Sequence, residues 1–251
     1  MTLTSRSPRV AVAVFPGTWS ERDFAHVAGS VLGWDARLVW HTEDDLGAPD
    51  AVVLPGGFAH GDHLRTGAIA RFSPVMRAVE EFAAAGGPVV GSCNGFQVLT
   101  EAGMLPGALV RNDHLEFRCD WQLLRVERPE AAPAWLADLA DGEVISLPIS
   151  HGEGRYVAAE ATLDQLERDG LVVLRYADAD GNVTPEANPN GSERGIAGIV
   201  NAGGNVLGMM PHPERASELE VGGTDGLRLF RSLERWLQEQ PAAAERRLSS
   251  G

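Results

Sequence analysis

The chain contains no lysine: all 21 of its basic residues are arginine. A lysine Schiff base with pyridoxal phosphate is therefore excluded. So is a G-x-x-x-x-G-K-[ST] loop, whose Lys holds the β/γ-phosphates. Any ATP used in the reaction is expected elsewhere, on a partner. Basic residues are also outnumbered by 35 acidic ones, giving a net charge of −14. Such a field repels phosphate backbones and anionic bilayers, so neither nucleic acid nor a membrane surface is expected as a partner. No apolar run reaches the length of about 18 residues that a membrane span needs. The stretch before residue 10 lacks the apolar core of a signal peptide. Cysteine is scarce too. Cys93 and Cys119 are the only two, too few for a disulfide-stapled scaffold. Both are read as free thiols in a reducing cytoplasm.

What the chain does have is alternation. Short apolar runs at 9–15, 36–40, 51–54 and 88–92 read as buried strands. Between them, 21–32 reads as a helix with Ser20 as N-cap. Residues 68–85 read as a helix broken at Pro74, and 94–102 as a short helix closed by Gly103. Continuous apolar strands separated by helices predict an α/β fold with a parallel sheet covered on both faces. After Pro106 the texture changes. Strands are expected at 121–127, 144–148 and 171–176, with an Ala/Pro-rich linker between the first two. A hairpin is expected at 196–210 around Asn201-Ala202-Gly203-Gly204. These add antiparallel strands to the sheet. Residues 224–238 read as a last helix. One domain is expected over 1–251, with its core at about 9–239 and a flexible tail over 240–251.

The strongest chemical signal is Gly91-Ser92-Cys93-Asn94-Gly95 at a strand-to-helix junction. It has the nucleophile-elbow form G-x-nucleophile-x-G, with Cys as the nucleophile. The helix that starts at Asn94 aims its N-terminal N–H groups at the thiol and favours the thiolate. Cys119 has no such context and reads as an incidental thiol. A thiolate nucleophile needs an acid/base partner. Two histidines sit in His-x-Glu: His151-Gly152-Glu153 and His212-Pro213-Glu214. In an extended segment, residues i and i+2 share a side, about 6.5 Å apart. A Glu placed there can orient the imidazole. Pro213 stiffens the second pair and Gly152 loosens the first, so the pattern leans to His212 with Glu214 without deciding. Gly56-Gly57 after the third strand can supply an oxyanion donor, with the N–H of Asn94 as the second. His60-Gly61-Asp62-His63 carries ligand-type side chains. Three ligands within four residues converge poorly, however, so no metal is expected.

The nucleophile stretch through Phe96-Gln97, together with Pro211-His212-Pro213-Glu214, resembles the class I (triad) glutamine amidotransferases. Further stretches at 14–23, 54–70, 93–109, 111–113, 148–156 and 188–215 resemble one branch of that family. Its members are the glutaminase subunits of phosphoribosylformylglycinamidine synthases. The resemblance implies a flavodoxin-like, mostly parallel sheet. It also implies hydrolysis of glutamine, with the ammonia passed to a synthetase that converts formylglycinamide ribonucleotide to the amidine in purine biosynthesis. It carries the nucleophile onto Cys93, its partners onto His212 and Glu214, and the oxyanion donors onto Gly57 and Asn94. Gln97 and the segment Ser150-His151-Gly152 fall at the glutamine site, the segment acting largely through backbone. No cofactor is implied in this chain, ATP and Mg²⁺ being expected on the synthetase. The implied partners are glutamine, that synthetase and, as an open question, a further small subunit. The chain resembles a separate small subunit rather than a fused enzyme. It departs from the family outside the triad. His60 and His63 stand where aromatic residues are frequent, and Trp19 and Ser20 where Asn and Cys are frequent. A poor basal activity is expected, with the glycine turn at 56–57 flexible until a partner docks. Two other readings stay open: a stand-alone Cys hydrolase of the DJ-1/PfpI type, and a non-catalytic binding module.

Overall fold

In this computed structural model, residues 7–129 and 133–249 are described, with side chains to residue 239. The readings of the N-terminal segment before residue 7 and of side chains in the tail lie outside the described residues.

The first half of the chain follows the alternation in its sequence. Strand β1 (Arg9–Val14) leads to α1 (Glu21–His26), which continues as a π-helical turn over Val27–Val31. Then come β2 (Asp35–Trp40), β3 (Ala51–Leu54), α2 (Pro74–Ala84), β4 (Val89–Ser92) and α3 (Asn94–Glu101). The break expected at Pro74 is present: a 3-10 turn at Ala70–Phe72 stops at extended Ser73 before α2. Pro74 begins α2 at a position where its missing N–H is not needed. Alternate residues of β1 enter opposite cores: Val10 and Val12 on one face, Ala11 and Ala13 on the other. β3 divides the same way. Burial on both faces is why these strands read as unbroken apolar runs.

The second half adds β5 (Ala108–Val110), β6 (Arg118–Val126), β7 (Val144–His151), β8 (Arg155–Val157), α4 (Glu160–Arg168), β9 (Val172–Tyr176), β10 (Ile196–Val200), β11 (Val206–Met209) and α5 (Asp225–Ser249). Nine strands form one sheet in the order β2-β1-β3-β4-β11-β10-β9-β6-β7. β2, β1, β3, β4 and β11 run parallel, and β10, β9, β6 and β7 continue antiparallel. β5 and β8 pair separately. The segment expected as a linker after β6 instead holds a short 3-10 turn at Ala134–Leu136, with Trp135 buried in the core against Phe230 of α5. α5 stays helical past Pro241, through a run of strong helix formers where a tail is expected.

Candidate active site

Three adjacent parallel strands, β3, β4 and β11, deliver the site at their carboxyl ends, where ligands of open α/β sheets bind. β3 ends in the glycine turn, β4 in Cys93, and β11 two residues before Pro211-His212.

Cys93 holds φ 50° and ψ −106°, a backbone conformation that L-residues rarely adopt. Such strain costs about 1–3 kcal/mol and persists only where the surroundings impose it. Here the Cys93 N–H donates to the Met209 carbonyl of β11. On the helix side, a Cβ at Gly95 would come within 1.9 Å of the Leu54 carbonyl oxygen. Only glycine lets α3 pack this close to β3. The elbow leaves the sulfur 3.6 Å from the Ser150 carbonyl oxygen of β7.

His212 and Glu214 are both buried, and His212 Nδ1 lies 2.7 Å from Glu214 Oε1. The pair is not extended. Pro213 starts a 3-10 turn over Pro213–Arg215, which folds Glu214 back onto the ring. The His212 N–H donates to the Pro148 carbonyl of β7, fixing the loop from behind. Nε2 is buried and holds no regular hydrogen bond; it is the nitrogen left for the Cys93 sulfur. Burial opposes a charge on this ring. Glu214 and Cys93 outweigh that effect and lift His212 to about 10. An imidazolium held this firmly can stabilise a thiolate and later release its proton to a leaving group.

His151 behaves in the opposite way. Burial first, then the charge of His212, pushes it down to about 4, so it is neutral near pH 7. Its Nδ1 lies 3.2 Å from Asn112 Oδ1 and its Nε2 3.5 Å from Asn190 Nδ2. Those partners bind the ring into a buried amide network and leave it no part in proton transfer. The two His-x-Glu pairs thus differ in geometry: His212 meets its Glu, whereas His151 meets two asparagines.

The glycine turn departs from expectation. It is not loose. The N–H groups of Trp19 and Ser20 both donate to Gly56 O, at 3.0 and 3.2 Å, and Phe58 N–H donates to Gly17 O at 2.8 Å. Gly56 N–H donates to Ser20 Oγ at 2.8 Å. Ser20 holds the N-cap position of α1 as expected, but its hydroxyl makes no capping bond and staples the turn instead. Gly57 has φ +149°, and a Cβ there would stand 2.7 Å from Gly17 O, Thr18 Cα and Trp19 N. The glycines serve close approach rather than flexibility. Among the described backbone hydrogen bonds, neither Gly57 N–H nor Asn94 N–H donates to the protein. Both remain available as a pair of donors beside Cys93.

A cavity of about 180 Å³ lies next to the sulfur, lined by Gly57, Gln97, residues 150–153, Asp62 and Phe117. Gln97 donates to the Glu153 carbonyl at 2.6 Å and accepts from Asn94 Nδ2 at 2.8 Å. Every expected site residue thus falls at one place. The sequence reading misses Asn112. This fully buried amide accepts from Gly154 N–H and His151 Nδ1, and donates to the carbonyls of His151 and Glu116. Asn112 N–H also donates to the Gly152 carbonyl. One side chain thereby fixes the cavity-lining segment that Gly152 and Gly154 would leave loose. Its only sequence signal is its place in Arg111-Asn112-Asp113. Cys119 lies on β6, exposed, paired across from Ser150. His60 turns away from the cavity and packs against His41 and Phe15.

The CobB/CobQ-like glutamine amidotransferase domain model matches residues 7–237. The chain belongs to this family. Within the amidotransferases its curated relatives include the phosphoribosylformylglycinamidine synthase subunit PurQ of Gloeobacter violaceus, 59% identical over 90% of this chain and 96% of that protein. The PurQ subunit of Thermosynechococcus vestitus is 57% identical over 91% of this chain and 97% of its own. Among solved structures, the PurLQS complex of Thermotoga maritima contains a chain that superposes with a TM-score of 0.80 at 38% identity. That match covers 92% of this chain and all of the other.

Proposed function

We propose that this chain is the glutaminase subunit of a phosphoribosylformylglycinamidine synthase, releasing ammonia from glutamine for a synthetase partner. The observation that carries the reading is the strained Cys93 elbow beside the buried His212–Glu214 pair. The identity with PurQ subunits over nine-tenths of the chain supports the choice of synthase.

The chemistry follows from the atoms in place. The amide carbonyl of glutamine sits with its oxygen toward the N–H groups of Gly57 and Asn94, which gain strength as that oxygen becomes an oxyanion. The Cys93 thiolate attacks the amide carbon. As the tetrahedral species collapses, the C–N bond breaks and His212 Nε2 donates a proton to the departing nitrogen. The sulfur of the resulting thioester carries no charge. His212 then loses one of the two influences that raised it, which suits it to accept a proton from the attacking water. That water cleaves the C–S bond to give glutamate and regenerate the thiolate. The reading assigns ATP and Mg²⁺ to the synthetase, in keeping with a chain that has no lysine for a phosphate loop.

The test is Cys93→Ala in the reconstituted complex. Glutamine-dependent synthesis should fall to background while synthesis from added ammonium persists. Glutamine hydrolysis at the wild-type rate would refute the reading. Cys119→Ala is the matched control. Hydrolysis of unrelated amides or esters without a synthetase, and indifference to glutamine, would instead favour a stand-alone Cys hydrolase.

A further inference from the structure

Glutamine is a zwitterion, and its α-ammonium group must find a counter-charge when it leaves water for a cavity. No cation lines the catalytic cavity: His151 is neutral there. Two carboxylates do, Asp62 and Glu153. Glu153 already has a cation, with its Oε1 3.7 Å from Arg111 Nε. Asp62 forms no ion pair among the described residues. Its Oδ1 lies 3.5 Å from Asn94 Nδ2, and Asn94 in turn holds Gln97 and accepts from Ala59 N–H. Asp62 is therefore tied to the residue that follows the nucleophile. The backbone presents it deliberately, because His60 and Asp62 hold φ 54° and 53°. That turn sends His60 outward to His41 and Asp62 inward to the cavity.

We propose that Asp62 is the counter-charge for the α-ammonium group of glutamine, and so lets the site distinguish the amino acid from a simple primary amide. The inference rests on the glutaminase reading above. Burial first, and the charge of Glu153 second, raise Asp62 to about 6. A cation arriving between the two carboxylates relieves both effects.

The experiment compares glutamine with glutaramate, which carries the same amide and no α-amino group, using the complex with its synthetase. The readout is the ratio of kcat/KM for the two compounds. Asp62→Asn should lower that ratio about 10–100-fold, through KM for glutamine, as expected for a lost hydrogen bond to a charged group. The wild-type ratio should also fall below about pH 6, as Asp62 takes up a proton. This second arm needs no variant to fold. Cys93 and His212 act on both substrates and cancel in the ratio. Glu153, which faces Asp62 from the segment after β7, is tested by Glu153→Gln. A ratio unchanged in Asp62→Asn and flat with pH overturns the assignment. So does a ratio that collapses in Glu153→Gln but not in Asp62→Asn. A wild-type complex that hydrolyses neither compound overturns the glutaminase reading itself, and the inference with it.

Discussion

Asn112→Ala tests whether one buried amide holds the wall of the cavity. The native side chain makes four hydrogen bonds, to His151 Nδ1, His151 O, Gly154 N–H and Glu116 O. Glu116 is exposed and its carbonyl can turn to water; the other three partners are buried or nearly so. An orphaned buried partner costs about 1–3 kcal/mol, and a water entering the vacated space recovers part of it. Taking the low end for three partners gives about 3 kcal/mol. For a chain of this size that corresponds to a melting temperature lower by about 6–12 °C. Kinetics should separate the wall from the triad. The segment at 150–153 lines the cavity, so KM for glutamine should rise more than kcat falls. Asn112→Asp sharpens the test. It keeps the acceptor for His151 Nδ1 and Gly154 N–H but places a carboxylate beside the imidazole, which favours its protonation. KM should then become pH-dependent at mildly acid pH, a signature that loss of packing alone does not produce. Thermal melts and steady-state glutaminase assays of both variants suffice. An Asn112→Ala protein that melts within about 2 °C of wild type and keeps its KM would refute the reasoning.

Three further outcomes follow from the same geometry. His212→Ala should lower kcat on the order of 10²–10⁴-fold, whereas His151→Ala should act mainly on KM; steady-state kinetics that reversed the two would exchange their roles. His151 is held near 4 against 6.5 for an ordinary imidazole, so the folded state resists protonating it. The stability this protects is fully present above about pH 6.5 and is lost as pH falls towards 4, up to about 3 kcal/mol. Denaturant melts of His151→Gln should show a shallower loss across that window, and a slope equal to wild type would contradict the shift. The isolated chain is still expected to be a poor glutaminase that its synthetase activates, although the turn at Gly56-Gly57 is braced rather than loose. A ~100-fold activation needs about 2.7 kcal/mol of differential binding. With −14 charges on this chain, a basic docking patch is expected and association should weaken with salt. Equal glutaminase rates with and without synthetase would end that expectation.

The parallel half of the fold is legible in the sequence because its strands are buried on both faces and bounded by Pro and Gly. The antiparallel half is less so. Residues 118–120 of β6 are exposed and carry no apolar alternation; they are strand because β7 pairs with them, Arg118 opposite His151. β5 and β8 are three residues each and, among the described strands, pair only with one another. α4 offers just Leu163 and Leu166 to the core, and its N-cap residue is Ala159, which cannot cap it with a side chain. The triad is legible because an elbow needs glycines at fixed offsets and His-Pro-Glu is locally stiff. Asn112 and Asp62 are not. Their roles depend on partners about 40 and about 30 residues away in the chain, Gly154 and Asn94. Nothing in their local spacing announces such contacts.

Trp19 stands on the strap that staples the glycine turn, with 71% of its surface exposed. The backbone N–H of this same residue holds Gly56 O. The indole on the outside and the Gly57 donor beside the sulfur therefore sit on two strips of backbone cross-tied by three hydrogen bonds. A partner seated on the indole would meet a braced frame, since shifting Gly57 means breaking those ties.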